Sequence, residues 1–282
     1  ARDRFGIKPL FYAIKDRTLF FASEMKALTK QIPFELDKFR ALYSILGIID
    51  KSKHETIFKG LFHIPPGSYL SYHNKRIEKN TIFKLSDFID AEKYVERKRR
   101  SFNENVEEFD FLFNKSINKM LMSDAPMGAF VSGGVDSSLI ASYVNKNTEN
   151  EFKLFTANVI GQHSEFEDAK SLAYELNKKL YSYNFKPEYL IRDFTKASWH
   201  YETPILIHAN AMPLLNISAL ARSENVKAVL TGEGADELFL GYPHILTQNF
   251  DFLIKSPFKI LNYMYSRNRH LKKYVLNSHY KE

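Results

Sequence analysis

Strand, glycine-containing loop and helix follow one another in the second half of the sequence, and this order constrains the fold more than any other feature. The apolar residues 128–131 lead into the loop 132–138, and the apolar residues 228–230 lead into the loop 231–234. Alternation of this kind predicts an α/β domain with a parallel sheet and helices on both faces. Because ligands in such folds bind beyond the carboxyl ends of the strands, both loops are expected to face one pocket.

The remaining elements follow from apolar spacing and turn residues. Residues 1–85 predict a β-rich α+β domain, residues 102–282 predict the α/β domain, and the charged residues 86–101 predict a linker between them. The predicted strands cover 10–14, 18–22, 68–72 and 153–160, and the predicted helices cover 35–49, 104–122, 137–145 and 166–180.

The composition excludes several classes of chemistry. The sequence has no cysteine, so disulfides, thiolate zinc sites and cysteine nucleophiles are excluded within this chain. No apolar run approaches the roughly 18 residues that span a bilayer, and the N-terminus lacks a signal-peptide pattern. A cytoplasmic location without a membrane partner is therefore expected.

The net charge of +7 fits either a polyanion partner or a solvated basic surface. Nucleic acid is not an expected partner, because basic and aromatic residues do not alternate densely along the sequence.

The loop 132–138, with the sequence SGGVDSS, predicts a phosphate-binding site. Two adjacent glycines let the backbone turn tightly, so that several amide N–H groups can point inward. The helix that follows places its positive dipole end at the same point, and the serine hydroxyls add donors. The loop lacks the lysine of P-loop NTPases. An ordinary glycine turn with a serine helix cap is the alternative interpretation.

The loop after residue 230 carries three acids, Glu233, Asp236 and Glu237. Carboxylates beside a phosphate-binding loop would repel a triphosphate unless Mg²⁺ lay between them, so a role in metal binding or proton transfer is predicted. A surface loop with solvated acids is the alternative.

Several parts of the sequence resemble one family, the glutamine-hydrolysing asparagine synthetases. The string SGGVDSS resembles the pyrophosphate-binding loop of the N-type ATP pyrophosphatases, the superfamily that includes them. The string LTGEGADELFLGY at 230–242 is similar to their SGEGxDExFGGY stretch, and residues 2–12, 21–28 and 65–70 are similar to late segments of their glutaminase domain. The resemblance covers nearly the whole chain in the family's order. It implies a partial N-terminal-nucleophile glutaminase β-sandwich followed by an ATP-pyrophosphatase domain.

The resemblance also implies roles for named residues, with ATP and Mg²⁺ as cofactors. Glu233 would assist the attack of ammonia on an acyl-adenylate, and Asp236 would be the second catalytic residue. Asp136 and Asp236 would hold magnesium. The residues expected to bind the nucleotide and its pyrophosphate are Ser132, Gly133, Gly134, Asp136, Ser137, Ser138, Thr156, Thr231 and Gly232.

Both ends of the sequence depart from the family pattern. The family's glutaminase uses an N-terminal cysteine as its nucleophile, whereas this chain starts at Ala1, which corresponds to a position well inside that domain. Glutamine hydrolysis is therefore not expected of this chain, and truncation at both ends is expected. Lys272 and Lys273 lie too soon after Glu233 to be assigned as the family's phosphate-binding lysine.

The region that would bind the acceptor departs as well. In residues 199–204, WHYETP, the glutamate Glu202 is displaced by one position from the family's motif. The next residues resemble asparagine-synthetase-like amidotransferases associated with surface-polysaccharide genes. His208 is either part of the acceptor pocket or a structural or surface histidine. Glu165 either lies near the nucleotide or only stabilises a helix dipole.

Four functions remain open at this point. The default is an amidotransferase that adenylates aspartate and amidates it with nitrogen from ammonia or glutamine, with a homodimer as one candidate assembly. The second keeps this chemistry with another carboxylate, such as a sugar acid. The third is an RNA-modifying adenylating enzyme, which only the basic charge supports. The fourth is a non-catalytic remnant.

Overall fold

The computed structural model of the chain describes residues 1–45, 54–148, 152–160, 164–203, 210–239 and 241. The chain divides into two compact units, Ala1–Leu230 and Thr231–Glu282, which are described separately. Several positions from the sequence analysis lie outside the described residues, namely the end of the predicted helix 35–49, His208, Leu240, Tyr242, Lys272 and Lys273.

The N-terminal part of the first unit contains two small antiparallel sheets. Strands β1 (Phe11–Lys15), β2 (Thr18–Ala22) and β3 (Leu61–His63) form one sheet in the order β2-β1-β3, and β4 (Ser68–His73) pairs with β5 (Arg76–Thr81) in the other. In the β1–β2 hairpin, Asp16 and Arg17 both have positive φ, at 49° and 61°. Two such residues form the turn that matches the right-handed twist of the strands.

A small apolar cluster holds this part together. Helices α1 (Met25–Thr29) and α2 (Lys38–Ile45) follow the first hairpin. The cluster joins β1, β3, α1 and the residues just after α1, and its buried members are Ala13, Met25, Leu28, Ile32 and Leu61.

The segment predicted as a linker is largely helical. A 3-10 turn at Leu85–Phe88 is followed by α3 (Ala91–Arg99) and then by α4 (Phe102–Met120). The Asp90 carboxylate caps the start of α3 by accepting hydrogen bonds from two backbone N–H groups. Ser101 and Glu104 form a reciprocal capping box at the start of α4. The Asp90 cap stabilises α3, where the apolar period is weak, so the charge-rich composition does not prevent regular structure.

The α/β part is built on a four-stranded parallel sheet in the order β8-β7-β6-β9. Its strands are β6 (Met127–Phe130), β7 (Lys153–Val159), β8 (Leu180–Phe185) and β9 (Ala228–Leu230). Its helices are α5 (Val135–Asn147), α6 (Phe166–Glu175), α7 (Tyr189–Tyr201) and α8 (Ala211–Ser223), and a short helix α9 (Ala235–Phe239) lies in the second unit. The predicted fold class is confirmed.

Strand β7 shows why both faces of this sheet need helices. Leu154 and Phe155 are both 0% exposed although their side chains point to opposite faces. Leu154 packs in a cluster with Val144 of α5 and Ala169 of α6. Phe155 packs in another cluster with Ala221 of α8. Two consecutive buried side chains are typical of a strand covered on both sides.

The chain between α6 and α7 differs from the prediction. The predicted helix 166–180 ends at Glu175, and β8 begins at Leu180, so a strand lies where the helix was expected to finish. Asn177 takes a positive φ of 51°, and the Lys178 N–H donates to the Ala173 carbonyl across the helix end. Leu180 keeps the apolar spacing of the helix by coincidence.

Within the described ranges, every helix falls short of the length or the apolar character that a bilayer crossing requires.

Replacing Leu154 by alanine tests the role of the β7 core. Leu154→Ala should lower the free energy of unfolding by about 2–5 kcal/mol, because a fully buried leucine leaves a cavity. Leu85→Ala is the matched control, since Leu85 is 56% exposed, and should change it by under about 0.5 kcal/mol. Equal losses in urea unfolding of the two variants would contradict the assigned core.

The partly buried His63 predicts a loss of stability in acid. Burial, followed by the charges of Arg2 and His54, lowers the pKa of His63 below its ordinary 6.5. As the pH falls below about 6.5, the unfolded chain binds this proton more readily than the folded chain, so stability decreases. Thermal unfolding between pH 7.5 and 5.5 should show a smaller acid shift for His63→Gln than for wild type. His73→Gln, at an exposed strand end, should behave as wild type; identical pH profiles for all three would contradict the prediction.

Candidate active site

The loop 132–138 joins the carboxyl end of β6 to the start of α5. The pairing of β6 with β7 extends one residue beyond the end of β6, because the Val131 N–H donates to the Phe155 carbonyl at 2.9 Å. Gly133 has a φ of +85°, and Gly134 is the N-cap of α5 with no side-chain cap bond. The loop therefore turns sharply at the sheet edge and opens directly into the helix.

Two serines brace this loop from within. The Ser132 N–H donates to the Ser137 hydroxyl oxygen at 3.2 Å, and the Gly134 N–H donates to the Ser132 hydroxyl oxygen at 3.2 Å. The Ser137 hydroxyl donates to the Gly134 carbonyl at 3.2 Å, and Ser137 is only 8% exposed. Ser132 and Ser137 therefore fix the shape of the loop. Ser138 differs from them, because its hydroxyl has no hydrogen-bond partner in the part of the chain that the structure describes.

The start of α5 supplies the donors. The first hydrogen bond of the helix runs from the Ser138 N–H to the Gly134 carbonyl at 3.0 Å. The N–H groups that precede it in the first turn have no carbonyl partner inside the helix, and the helix dipole is positive there. Exposed Asp136 lies in the same turn. The loop thus has the backbone donors of an anion site without a lysine.

Gly133 also lies against the start of α6. A Cβ at position 133 would approach the Ala169 nitrogen to 2.8 Å and the Asp168 carbonyl carbon to 2.9 Å, which leaves no room for a side chain. Two acids, Glu167 and Asp168, lie in this first turn of α6. From the sequence, Glu165 had two interpretations, a residue near the nucleotide or one that only stabilises the helix dipole, and Asp168 was not identified. In the sequence, only the two adjacent glycines indicated a close backbone contact at this point, and they do not show which residues make it.

Thr156 lies inside β7 rather than at its end. It is 3% exposed and pairs with Ser182 of β8, and the strand continues to Val159. The Phe155 carbonyl accepts a hydrogen bond from the Val131 N–H. Thr156 is therefore the next residue of β7 after the point at which β7 pairs with the residue before the loop.

The other predicted site residues belong to the second unit. Thr231 follows β9, and its hydroxyl oxygen accepts a hydrogen bond from the Glu233 N–H at 3.4 Å. Gly232 precedes Glu233, whose side chain is exposed, and Gly234 has a φ of +93° before α9 begins.

Asp236 packs against Gly241 within this unit. The Gly241 N–H donates to the Asp236 carbonyl at 3.0 Å, and a Cβ at position 241 would overlap the Asp236 carboxylate. A glycine at 241 therefore leaves space for that carboxylate.

The described residues contain no group of three or more His, Cys, Asp or Glu side chains that could hold a metal ion by themselves. Magnesium sites that act on nucleotides usually take one or two carboxylates and complete their coordination with phosphate oxygens and water. The exposed carboxylate of Asp136, within the loop 132–138, fits such a site.

The four-stranded parallel sheet, its helices and the glycine-containing loop at the carboxyl end of β6 define an α/β protein. Residues 108–281 match the family model described as asparagine synthase, and residues 1–83 match the glutamine amidotransferase domain. The chain belongs to the asparagine synthase family.

The chain is similar to proteins named as asparagine synthetases and to proteins named as amidases. It is 35% identical over 245 residues to "Asparagine synthetase [glutamine-hydrolyzing] 1" of Bacillus subtilis, covering 86% of this chain and 37% of that protein. It is 28% identical over 258 residues to "Amidase chry2" of Gibberella zeae, with the same two coverages of 86% and 37%. The chain thus spans little more than a third of the length of these relatives. Among solved structures, an NH3-dependent NAD synthetase from Campylobacter jejuni aligns with a TM-score of 0.35 and 19% identity, covering 51% of this chain and 61% of that chain.

The two glycines of the loop give a matched test of the site. Gly133→Ala should weaken the binding of inorganic pyrophosphate or Mg-ATP by at least about tenfold, because alanine at this φ costs roughly 1–2 kcal/mol and clashes with the backbone of α6. Gly134→Ala should bind within about twofold of wild type, since its φ is −67° and its Cβ would meet only the Ser132 hydroxyl at 3.2 Å. Calorimetric titration measures both, and circular dichroism checks the fold. Equal losses in the two variants would contradict the proposed geometry.

Proposed function

We propose that the chain carries the synthetase site of an ATP-dependent amidotransferase. A substrate carboxylate attacks the α-phosphorus of ATP and releases pyrophosphate, which gives an acyl-adenylate. Ammonia then attacks the acyl carbon, AMP leaves, and the amide forms with loss of one proton. The observation that carries the proposal is the braced, donor-rich loop 132–138 at the sheet edge of an asparagine synthase-family chain. Aspartate is the default acceptor, with asparagine as product.

The loop would stabilise the pyrophosphate as it leaves. Charge develops on the leaving oxygens, and backbone N–H groups fixed in advance by Ser132 and Ser137 need no rearrangement to meet it. Loss of one such donor in other enzymes costs about 3 kcal/mol of transition-state stabilisation. The Ser138 hydroxyl and the first-turn N–H groups of α5 are the donors we assign to this role, with Gly133 and Gly134 shaping the turn.

Asp136 and Asp236 are the residues we assign to magnesium. The ion, when bound, would neutralise phosphate charge, which lowers the barrier to attack on the α-phosphorus. Without it, acidic residues near the nucleotide, including Asp168 at the start of α6, would repel the triphosphate. Thr156, Thr231 and Gly232 are assigned to contacts with the rest of the nucleotide.

Glu233 is assigned to the second half-reaction. When ammonia bonds to the acyl carbon, the nitrogen becomes positively charged and must lose a proton. An ionised carboxylate in reach of that nitrogen stabilises the charge and accepts the proton. The exposed Glu233 in the stretch that is similar to the asparagine synthetase motif is our candidate.

Ammonia, rather than glutamine, is the direct nitrogen donor proposed for this chain. Residues 1–83 match a glutamine amidotransferase domain, but the sequence contains no cysteine to act as the thiol nucleophile. The chain alone therefore uses ammonia that is supplied to it.

A second candidate keeps the chemistry and changes the acceptor. Residues 205–214 differ from the usual asparagine synthetase pattern, and a relative of similar coverage is named an amidase rather than an asparagine synthetase. Within this stretch Asn210 is the N-cap of α8. A sugar acid or another carboxylate would then replace aspartate.

Pyrophosphate release distinguishes these candidates. With Mg-ATP and ammonium chloride, the chain should release pyrophosphate in the presence of aspartate and not with a panel of other carboxylic acids. Asp136→Asn should lower this rate by about 100-fold or more, whereas Asp124→Asn, an exposed acid outside the loop, should leave it unchanged. Glu233→Gln should reduce amide formation more than pyrophosphate release, because Glu233 acts after adenylation.

Each of the other outcomes has one meaning. Release with a sugar acid but not with aspartate would move the assignment to the second candidate. Binding of Mg-ATP without release with any acid would contradict the proposed activity and favour a non-catalytic chain.

A further inference from the structure

The two segments that match different family models meet at the N-terminus of α1. Glu202, in the synthase-type segment (residues 108–281), accepts hydrogen bonds from the Met25 and Lys26 N–H groups at 2.6 and 2.7 Å. Both amides lie in the amidotransferase-type segment (residues 1–83). Glu24 is the N-cap of α1, but its side chain makes no capping bond. A residue 177 positions away therefore caps this helix.

Lys26 completes the contact from its own side. Its ammonium lies 3.3 Å from the Glu202 carboxylate and donates to the Trp199 carbonyl at 3.3 Å. It also lies 5.5 Å from the centre of the Trp199 ring. The side chains of Lys26 and Glu202 are only 17% and 9% exposed. Because water screens this ion pair weakly, it is stronger than an ion pair between exposed side chains.

Glu202 adopts an unusual backbone conformation to make this contact. It is the C-cap residue of α7 with a φ of 59°, in the left-handed region, where glycine is the usual residue. A non-glycine residue is strained in this region because its Cβ crowds the backbone. Its N–H donates to the Ser198 carbonyl at 2.8 Å, which ends the helix. This backbone conformation places the carboxylate against α1, whereas a glycine would have no side chain to offer.

We infer that Glu202 is a positioning residue that fixes the amidotransferase-type segment on the synthase-type segment, and that it does not bind the acceptor. Its two carboxylate oxygens are both engaged by α1. The inference rests on the proposed function only for the statement about the acceptor. The displaced glutamate of residues 199–204 is thereby assigned to holding the segments together.

Spin labels test the positioning directly, because the chain has no native cysteine. Lys30→Cys on one segment and Lys196→Cys on the other are exposed labelling positions. Pulsed electron spin resonance on the full chain should give a narrow distance distribution with Glu202 and one at least about twofold wider with Glu202→Ala. Glu188→Gln, at the opposite end of α7 and without a capping bond, should keep the narrow distribution. An unchanged distribution in Glu202→Ala would overturn the inference.

Hydrogen exchange and kinetics separate this role from acceptor binding. Exchange at the Met25 and Lys26 amides should rise about 10- to 100-fold in Glu202→Ala, and the isosteric Glu202→Gln, which keeps one acceptor oxygen, should give a smaller rise. In the pyrophosphate-release assay, the KM for the acceptor with saturating ammonium should stay within about twofold of wild type in Glu202→Gln. A tenfold higher KM with unchanged exchange would overturn the inference. If neither the wild-type chain nor any variant releases pyrophosphate, the proposed function fails. The exchange and distance measurements still decide the positioning role of Glu202 in that case.

Discussion

The parallel pairing of β6 with β7 is the interaction on which the candidate site depends. The hydrogen bond from the Val131 N–H to the Phe155 carbonyl carries that pairing one residue past the strand, so the loop 132–138 begins at a fixed level of the sheet. On the other side, Gly133 touches the first turn of α6. The loop is thus held by a strand and a helix before any ligand arrives. Donors held in this way stabilise developing charge without the cost of rearranging.

Much of the site and of the sheet could be predicted because the signals are local. An apolar strand followed by glycines and a serine-rich helix start is a pattern of adjacent residues, and β9 lies at the predicted residues 228–230. The end of α6 could not be predicted, since Leu180 continues the helical spacing while Asn177 reverses the backbone. The helix α3 was missed because its stability comes from the Asp90 cap rather than from an apolar period.

Contacts between distant residues set the limit of the prediction. The closeness of Gly133 to Asp168 brings together two positions whose sequence gives no sign of the other. The contact of Glu202 with α1 is more remote still, because residues 199–204 give no sign of a partner in residues 1–83. A motif reports which residue types occur together, whereas the hydrogen bonds decide what each of them does.

The Glu202 contact also bears on why residues 1–83 belong with the synthase-type segment. Met25 is 3% exposed and joins the apolar cluster of the N-terminal part, while its N–H is bound by the end of α7. Met25 therefore connects the apolar packing of one segment to the residue that ends a helix in the other. This coupling needs no thiol and no glutamine. The amidotransferase-type segment is consequently tied to the synthase-type segment by its packing and hydrogen bonds, independently of whether this chain hydrolyses glutamine.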